Sequence, residues 1–501
     1  MAQLNKKETI PGLGSITNKI MLITYPDSMG GNLSSLRTVL RQYFQGAIGG
    51  IHILPFFPSS GDRGFSPITY REVDPNFGTW KDIEELAQDY YLMCDMMVNH
   101  VSRRCAEFRD YLEKKDDSLY ADMFLRYDTF WGEGRPTPEE LQLLYRRKDG
   151  EPCQEVTFPD GETRKLWCTF TDEQLDIDTT RPVTINYLKE NLGWLSEKGI
   201  SIVRLDAYGY ITKRKGTHCF FVEPEIWELI TDLRDTLKRK GMLVLPEVHD
   251  LWRTTLKFAG HGIWSYDFVL PLLMLHTLYT QNAQKMAHWL QICPRNQFTV
   301  LDTHDGVGVY DAFDWVDNRQ AQAVIKKMED RLSYAYKPLH PEKKRFFKSY
   351  QLYGTYYSLL HENSNAYLLA RAIQFFAPGI PQVYYVGMLA GENDVEALMG
   401  SPDHRSINRH NYSLPEIDQG CKAPVVRKLI ALMRFRNEYP AFDGEIEVNC
   451  PESNLLEIRR RQGLYEAVLK CDLKTYGFSI DYRKEGEQDL RQLILEENRN
   501  E

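Results

Sequence analysis

Leu92-Met-Cys-Asp95-Met-Met-Val-Asn99-His100 is an apolar run too short for an ordinary helix, and it closes on polar groups. Such a run reads as a strand buried on both faces with chemistry at its carboxyl end. Three later stretches share the form: Ile202-Val-Arg204-Leu-Asp206, Leu243-Val-Leu-Pro246-Glu247-Val-His249 and Phe298-Thr-Val-Leu-Asp302-Thr-His304-Asp305. Any one of them is a weak signal; four in chain order are a strong one. Further candidate strands are Ile20–Thr24, Ile51–Leu54, Val383–Tyr385 and one near Tyr266–Leu270. Amphipathic segments lie between them. One carries Leu36, Val39, Leu40 and Tyr43; another opens at Glu223-Pro224, runs through Ile226, Leu229, Ile230, Leu233 and Leu237, and stops at Gly241. Proline near the start and glycine past the end punctuate a helix. Alternating strands and helices predict an α/β fold, a (β/α)8 TIM barrel.

Two stretches break the alternation. Residues 99–180 are polar and aromatic, and residues 307–361 are charged, with a basic run at Lys343-Lys344-Arg345. Both are expected to be loop-rich insertions on the catalytic face. The barrel would then comprise residues 1–98, 181–306 and 362–441. After Phe442 the pattern turns short and strand-like (Glu445–Val448, Leu455–Arg459, Leu464–Leu469), which predicts a small C-terminal β domain over 442–501. The 501 residues suffice for this plan, and a net charge of −9 argues against nucleic acid or an anionic membrane as a partner. Nine cysteines without metal-ligand spacing, and no apolar stretch of membrane-spanning length, predict free thiols in a cytoplasmic protein with no metal.

The four motifs supply what retaining glycoside cleavage needs: one carboxylate as nucleophile and a second as acid and base, about 5–5.5 Å apart. Arg204 and Asp206 share a strand face, so the guanidinium holds the nucleophile charged. Asp206 is assigned as nucleophile and Glu247 as acid/base, with burial and few cationic neighbours expected to raise its pKa. Asp305 is assigned to the positive charge of the transition state. His100 and His304 are suited to sugar hydroxyls, since imidazole donates and accepts. Asp95 and Asn99, by themselves, read as ties between strand and loop.

These motifs resemble the signature regions of the α-amylase superfamily, and most closely its sucrose phosphorylase group. Met21-Leu-Ile-Thr-Tyr-Pro-Asp27, the stretch from Ile53 to Phe65, Val300 to Gly308, Pro378 to Gly391 and Ile407-Asn-Arg-His410 carry the likeness across nearly the whole chain. The resemblance implies a double displacement. An α-glucoside would give a β-glucosyl-Asp206 intermediate, and inorganic phosphate would release α-glucose 1-phosphate, with no cofactor. It implies a glucose pocket closed by Asp62 and Arg409. Phe65 would be its platform, Phe170 and Gln174 would stand near the reacting end, and Arg204, Tyr210 and His249 would also touch substrate. The acceptor and phosphate loops would be Tyr145-Arg146-Arg147-Lys148 and Phe347-Lys348-Ser349-Tyr350-Gln351, with Tyr145, Arg147, Lys148, Lys348, Tyr350 and Gln351 as contacts. A monomer or homodimer is expected.

Two positions depart from the family pattern. Lys348 stands where sucrose phosphorylases carry Asp, and Tyr208 where they carry a smaller or non-polar residue. Tyr208 is expected to crowd the acceptor mouth and Lys348 to favour an anionic acceptor. Sucrose is the default donor, with modest activity. Sucrose 6F-phosphate and glucosylglycerol-type substrates are the alternatives. A hydrolase of the superfamily, or a non-catalytic transporter accessory protein, are remote readings.

Overall fold

The computed structural model describes residues 16–132, 134–332, 334–336, 351–483 and 489–495. Eight parallel strands form its core: β1 (Met21–Thr24), β2 (Gly50–Ile53), β3 (Tyr91–Met97), β4 (Ile200–Asp206), β5 (Leu243–Pro246), β6 (Ser265–Asp267), β7 (Gln297–Thr299) and β8 (Ile380–Tyr384). They make one sheet in the order β6-β7-β8-β1-β2-β3-β4-β5, and β5 meets β6 at the seam. Every residue of β3 is buried, which is why its sequence is a continuous apolar run rather than an alternating one. Register fixes the site. Met97 pairs with Asp206, and Leu205 with Pro246, so the carboxyl ends of β3, β4 and β5 lie at one level.

Helices cover the outside. Leu33–Tyr43 starts at Asn32, whose side chain accepts from the Ser35 N–H at 2.9 Å, and it buries Leu33, Leu36, Val39 and Leu40. Glu225–Lys238 buries Ile226, Ile230, Leu233 and Leu237, the stripe read from the sequence. The strand expected near Tyr266–Leu270 is shorter than its apolar stretch. It ends at Asp267, and Leu270–Thr280 is a helix with nine consecutive buried residues, Leu270 to Leu278. A helix buried all round carries no amphipathic period, so it cannot be told from a strand by pattern.

Between β3 and β4 the chain pairs His100–Ser102 with Gln174–Asp176 and forms a hairpin of Cys153–Thr157 with Thr163–Trp167. Between β7 and β8 it pairs Val307–Gly308 and Tyr334–Tyr336 with Gln351–Tyr353. A five-stranded antiparallel sheet from Glu445 to Gln492 ends the chain, including Gly477–Arg483, which the sequence reading did not single out. All nine cysteines are free thiols. No helix among the described residues is long and apolar enough to cross a membrane.

One buried cation ties the first insertion to the barrel. Lys213 Nζ donates to Asn99 Oδ1 at 2.9 Å and to the Tyr210 carbonyl at 2.8 Å, and lies 2.7 Å from Asp176 Oδ2. Asp176 also accepts from Thr169 N–H and Oγ. Removing one partner of such a pair leaves a buried charge uncompensated. Lys213→Met is therefore expected to cost about 3 kcal/mol of stability in chemical denaturation. A loss under about 1 kcal/mol would mean that Asn99 and Asp176 find other partners.

Candidate active site

Arg204 organises the centre. Its Nη1 donates to Asp95, which also accepts from His52 at 2.8 Å, and lies 2.9 Å from Asp206 Oδ1. Its Nη2 lies 2.8 Å from Glu247 Oε1. Asp206 and Glu247 are thus held on two nitrogens of one guanidinium. The chain turns sharply after Asp206. Ala207 adopts a left-handed φ of 54°, and its N–H donates to Glu247 Oε2 at 3.0 Å. A non-glycine residue in this region is strained by roughly 1–2 kcal/mol, and here the strain aims a backbone donor at Glu247.

Around this centre lies a cavity of about 370 Å³. Of the residues singled out from the sequence, Asp62, Phe65, His100, Arg147, Phe170, Gln174, Asp206, Tyr210, Glu247, His249, His304, Asp305 and Gln351 line it. Phe65 stacks on His304 with centroids 5.1 Å apart, and its carbonyl accepts from Gln174 at 2.9 Å and contacts His100 Nε2 at 3.1 Å. Phe170 lies edge-on to His100 and Tyr210, and the Arg147 guanidinium sits 5.9 Å from its ring centroid. Burial lowers the His100 and His304 pKa values, the latter to about 3 with Arg204 and Arg409 adding to the effect, so both rings are neutral hydrogen-bonding groups.

Several expectations are corrected. Tyr208 does not crowd the acceptor mouth: it is fully buried, and its hydroxyl donates to the Ile226 carbonyl at 2.5 Å. The turn at Ala207 swings position 208 into the core behind β4 and leaves Gly209 and Tyr210 facing the cavity. Arg409 does not line the cavity beside Asp62. It lies behind the wall, donating from Nε to the His304 carbonyl at 3.0 Å, with Nη2 3.6 Å from Asp305. Arg405, one turn earlier, takes that place: its Nη2 is 2.9 Å from Asp62 and its Nη1 3.3 Å from Asp305. Arg204 lies beneath the floor. Tyr145 packs behind Tyr210 and Phe220, and Lys148 pairs with Asp172 at 2.9 Å. Lys348 and Tyr350, with the basic run 343–345, lie outside the described residues.

The ionisation pattern also differs. Burial would raise the Glu247 pKa, but Arg204 and then His249 outweigh it and hold the carboxyl down to about 2. Asp206 is pushed well above the usual carboxylate range by burial, with Glu247 and Asp95 adding repulsion that Arg204 does not cancel. Asp305 stays ionised: burial opposes this, and the guanidinium groups of Arg405, Arg409 and Arg204 overcome it, with the neutral His304 ring 3.2 Å away.

Sequence reasoning missed Arg405, Asp403, Tyr353, Phe220 and Thr171 among the cavity residues. Arg405 had a signal, since it stands four residues before Arg409, one turn away on the short helix His404–Asn408 and its flank. Thr171 and Tyr353 come from the two insertions, and Phe220 and Asp403 from loops that follow β4 and β8, none of whose courses a motif fixes.

Comparison with known proteins follows the same lines. A family model described as alpha amylase, catalytic domain, matches residues 28–307. The chain is 45% identical to the sucrose phosphorylase of Streptococcus mutans, over 91% of this chain and 96% of the relative. The chain belongs to the sucrose phosphorylase group of the α-amylase superfamily. It is also 42% identical to the glucosylglycerol phosphorylase of Marinobacter adhaerens, over 93% of this chain and 97% of the relative. The crystal structure of sucrose 6F-phosphate phosphorylase from Thermoanaerobacter thermosaccharolyticum superposes with a TM-score of 0.92 at 42% identity, covering 95% of this chain and 98% of that one. That group is one of glycosyl-transferring enzymes.

Proposed function

We propose that this chain is a cytoplasmic, cofactor-independent sucrose phosphorylase, converting sucrose and phosphate to α-glucose 1-phosphate and fructose with retention. The observation that carries the reading is the pairing of Asp206 and Glu247 on Arg204, in a cavity closed on one side by Asp62–Arg405 and flanked by Arg147 on another. Asp206 attacks C1 of the glucosyl unit, and Glu247 gives a proton to the departing acceptor oxygen. Asp305, held ionised, faces the positive charge of the transition state. Phosphate then forms a bond to C1 while the C1–Asp206 ester breaks with its electron pair returning to Asp206. Phe65 and His304 form a platform for the sugar ring, and His100 and Gln174 share its edge. Arg147 stands where an incoming phosphate needs a cation.

A second reading has one observation in its favour. Arg147 over Phe170 is a charged, half-aromatic wall that fits an acceptor bearing its own phosphate as well as it fits inorganic phosphate. The buried hydroxyl of Tyr208 removes the argument for a small polyol acceptor. The deciding assay runs the reaction backwards, with glucose 1-phosphate as donor and fructose, fructose 6-phosphate or glycerol as acceptor. Fructose is expected to lead, with fructose 6-phosphate measurable and glycerol weak. In the forward direction sucrose cleavage should depend on phosphate, and maltotriose should be rejected because Arg405 closes the pocket beyond one glucosyl unit. Cleavage at the same rate with and without phosphate would make this a hydrolase.

A further inference from the structure

Glu247 is flanked by polar contacts that glucosyl transfer, as set out above, does not use. His249 Nε2 is 3.3 Å from Glu247 Oε1, and His249 Nδ1 is 3.3 Å from Asp311 Oδ2. The imidazole stacks on Phe268, with centroids 4.1 Å apart, which fixes its plane. Asp311 is buried in the turn Tyr310–Ala312 of the second insertion. Room for it is made by Gly308, where a Cβ would lie 2.6 Å from Asp311 Oδ2 and 3.8 Å from His249 Nδ1. The arrangement is a line from a buried carboxylate, through a cavity-lining imidazole, to the acid/base.

We propose that Asp311 is a positioning residue that keeps His249 charged with a proton shared with Glu247, given through Glu247 to the departing acceptor and recovered from inorganic phosphate. This rests on the phosphorylase reading above. It answers a difficulty in that reading, because Glu247 must deliver a proton although Arg204 and His249 hold its carboxyl at about 2. Asp311 accepts at Nδ1, so that nitrogen keeps its hydrogen and the exchangeable proton sits on Nε2, facing Glu247. Transfer from Nε2 to Oε1 turns an imidazolium–carboxylate pair into imidazole and carboxylic acid, without creating net charge in a buried site. The leaving oxygen takes that proton. In the second half-reaction the phosphate hydroxyl gives its proton to Glu247 as phosphate oxygen bonds to C1, and the pair is restored.

The groups facing His249 are Glu247, Arg204, His304 and Asp305 on the cavity side, and Asp311, with Asp250 near it, on the other. Burial opposes charge on the ring, and Asp311 and Glu247 outweigh it, raising the His249 pKa well above its ordinary value. Burial also pushes the Asp311 carboxyl up, and the His249 cation opposes that shift. Each partner depends on the other, and a neutral isostere at 311 releases the imidazole proton at lower pH.

Asp311→Asn in the full chain tests this. Its phosphorolysis profile in kcat/KM is expected to lose its basic limb about one pH unit earlier than wild type, a loss of about tenfold at a fixed alkaline pH. At the acid end it should stay within about threefold of wild type, as should single-turnover fluoride release from α-glucosyl fluoride, a leaving group that needs no proton. Gly308→Ala, which presses a methyl group on the Asp311 oxygen, should move the basic limb the same way. The His249 imidazole, followed by NMR and assigned with His249→Gln, should titrate lower in Asp311→Asn. Superimposable profiles, or a uniform loss at every pH that includes fluoride release, overturn the inference. Phosphate-independent cleavage by the wild type instead overturns the phosphorylase reading, so the two failures are distinct.

Discussion

Asp206→Asn is expected to lower turnover of an α-glucoside by about four to six orders of magnitude while the protein still folds. The amide fills the same space and still accepts from Arg204, but it cannot form the glucosyl ester. Glu247 does not replace it, because its two oxygens are engaged by Arg204 and by the Ala207 N–H. The same substitution should raise the melting temperature. Asp95, Asp206 and Glu247 crowd one guanidinium, and the repulsion among them, with burial, pushes Asp206 well above the ordinary carboxylate range. Removing one charge relieves this while Arg204 keeps two partners. Stability gained as activity is lost is the signature of a site held in a costly arrangement for function. Calorimetry and an assay of glucose 1-phosphate formation on the same preparation check both halves. Residual activity of more than a few per cent overturns the nucleophile assignment, and an unstable variant overturns the account of crowding.

How much of this was legible beforehand depended on how locally each feature is encoded. The barrel was, because strands buried on both faces leave uninterrupted apolar runs, and the polar residues that end them must lie on one rim once the strands are parallel. That Asp206, Glu247 and Asp305 meet in one cavity was legible for that reason. Tyr208 was misplaced because its direction is set by one left-handed residue, Ala207, and a left-handed alanine leaves no mark in the sequence. The choice of Arg405 over Arg409 as the partner of Asp62 depends on which side of a single helical turn faces the pocket. The ionisation of Glu247 was misjudged because Arg204 lies 43 residues away in sequence (247 minus 204) and yet reaches across from the neighbouring strand, and because Asp311 enters through His249 from an insertion without a motif. Pairwise electrostatics belong to the folded site, and residue order alone does not supply them.

Glu247→Gln is expected to separate the two half-reactions. With sucrose, whose fructosyl oxygen leaves poorly unless protonated, the rate should fall by about three to four orders of magnitude, the upper range for loss of a positioned acid. With α-glucosyl fluoride the first step needs no proton, so single-turnover fluoride release should stay within about tenfold of wild type. The glucosyl-Asp206 ester then meets the second consequence of the change. A neutral acceptor such as fructose needs a base to remove its hydroxyl proton, and glutamine supplies none, so transfer to fructose should fail. An anion needs no base: azide or dianionic phosphate should resolve the ester, and the fluoride reaction should turn over only when one of them is present. The basic limb of the pH profile should also vanish with the fluoride donor, because the proton shared by Glu247 and His249 no longer enters the rate. The glutamine oxygen keeps the contacts with Arg204 and His249 and only the bond from the Ala207 N–H is lost, so a collapsed site is not the expected cause of any loss. Equal losses with sucrose and with the fluoride, and no rescue by azide, would show that Glu247 holds the site together and is not its acid and base.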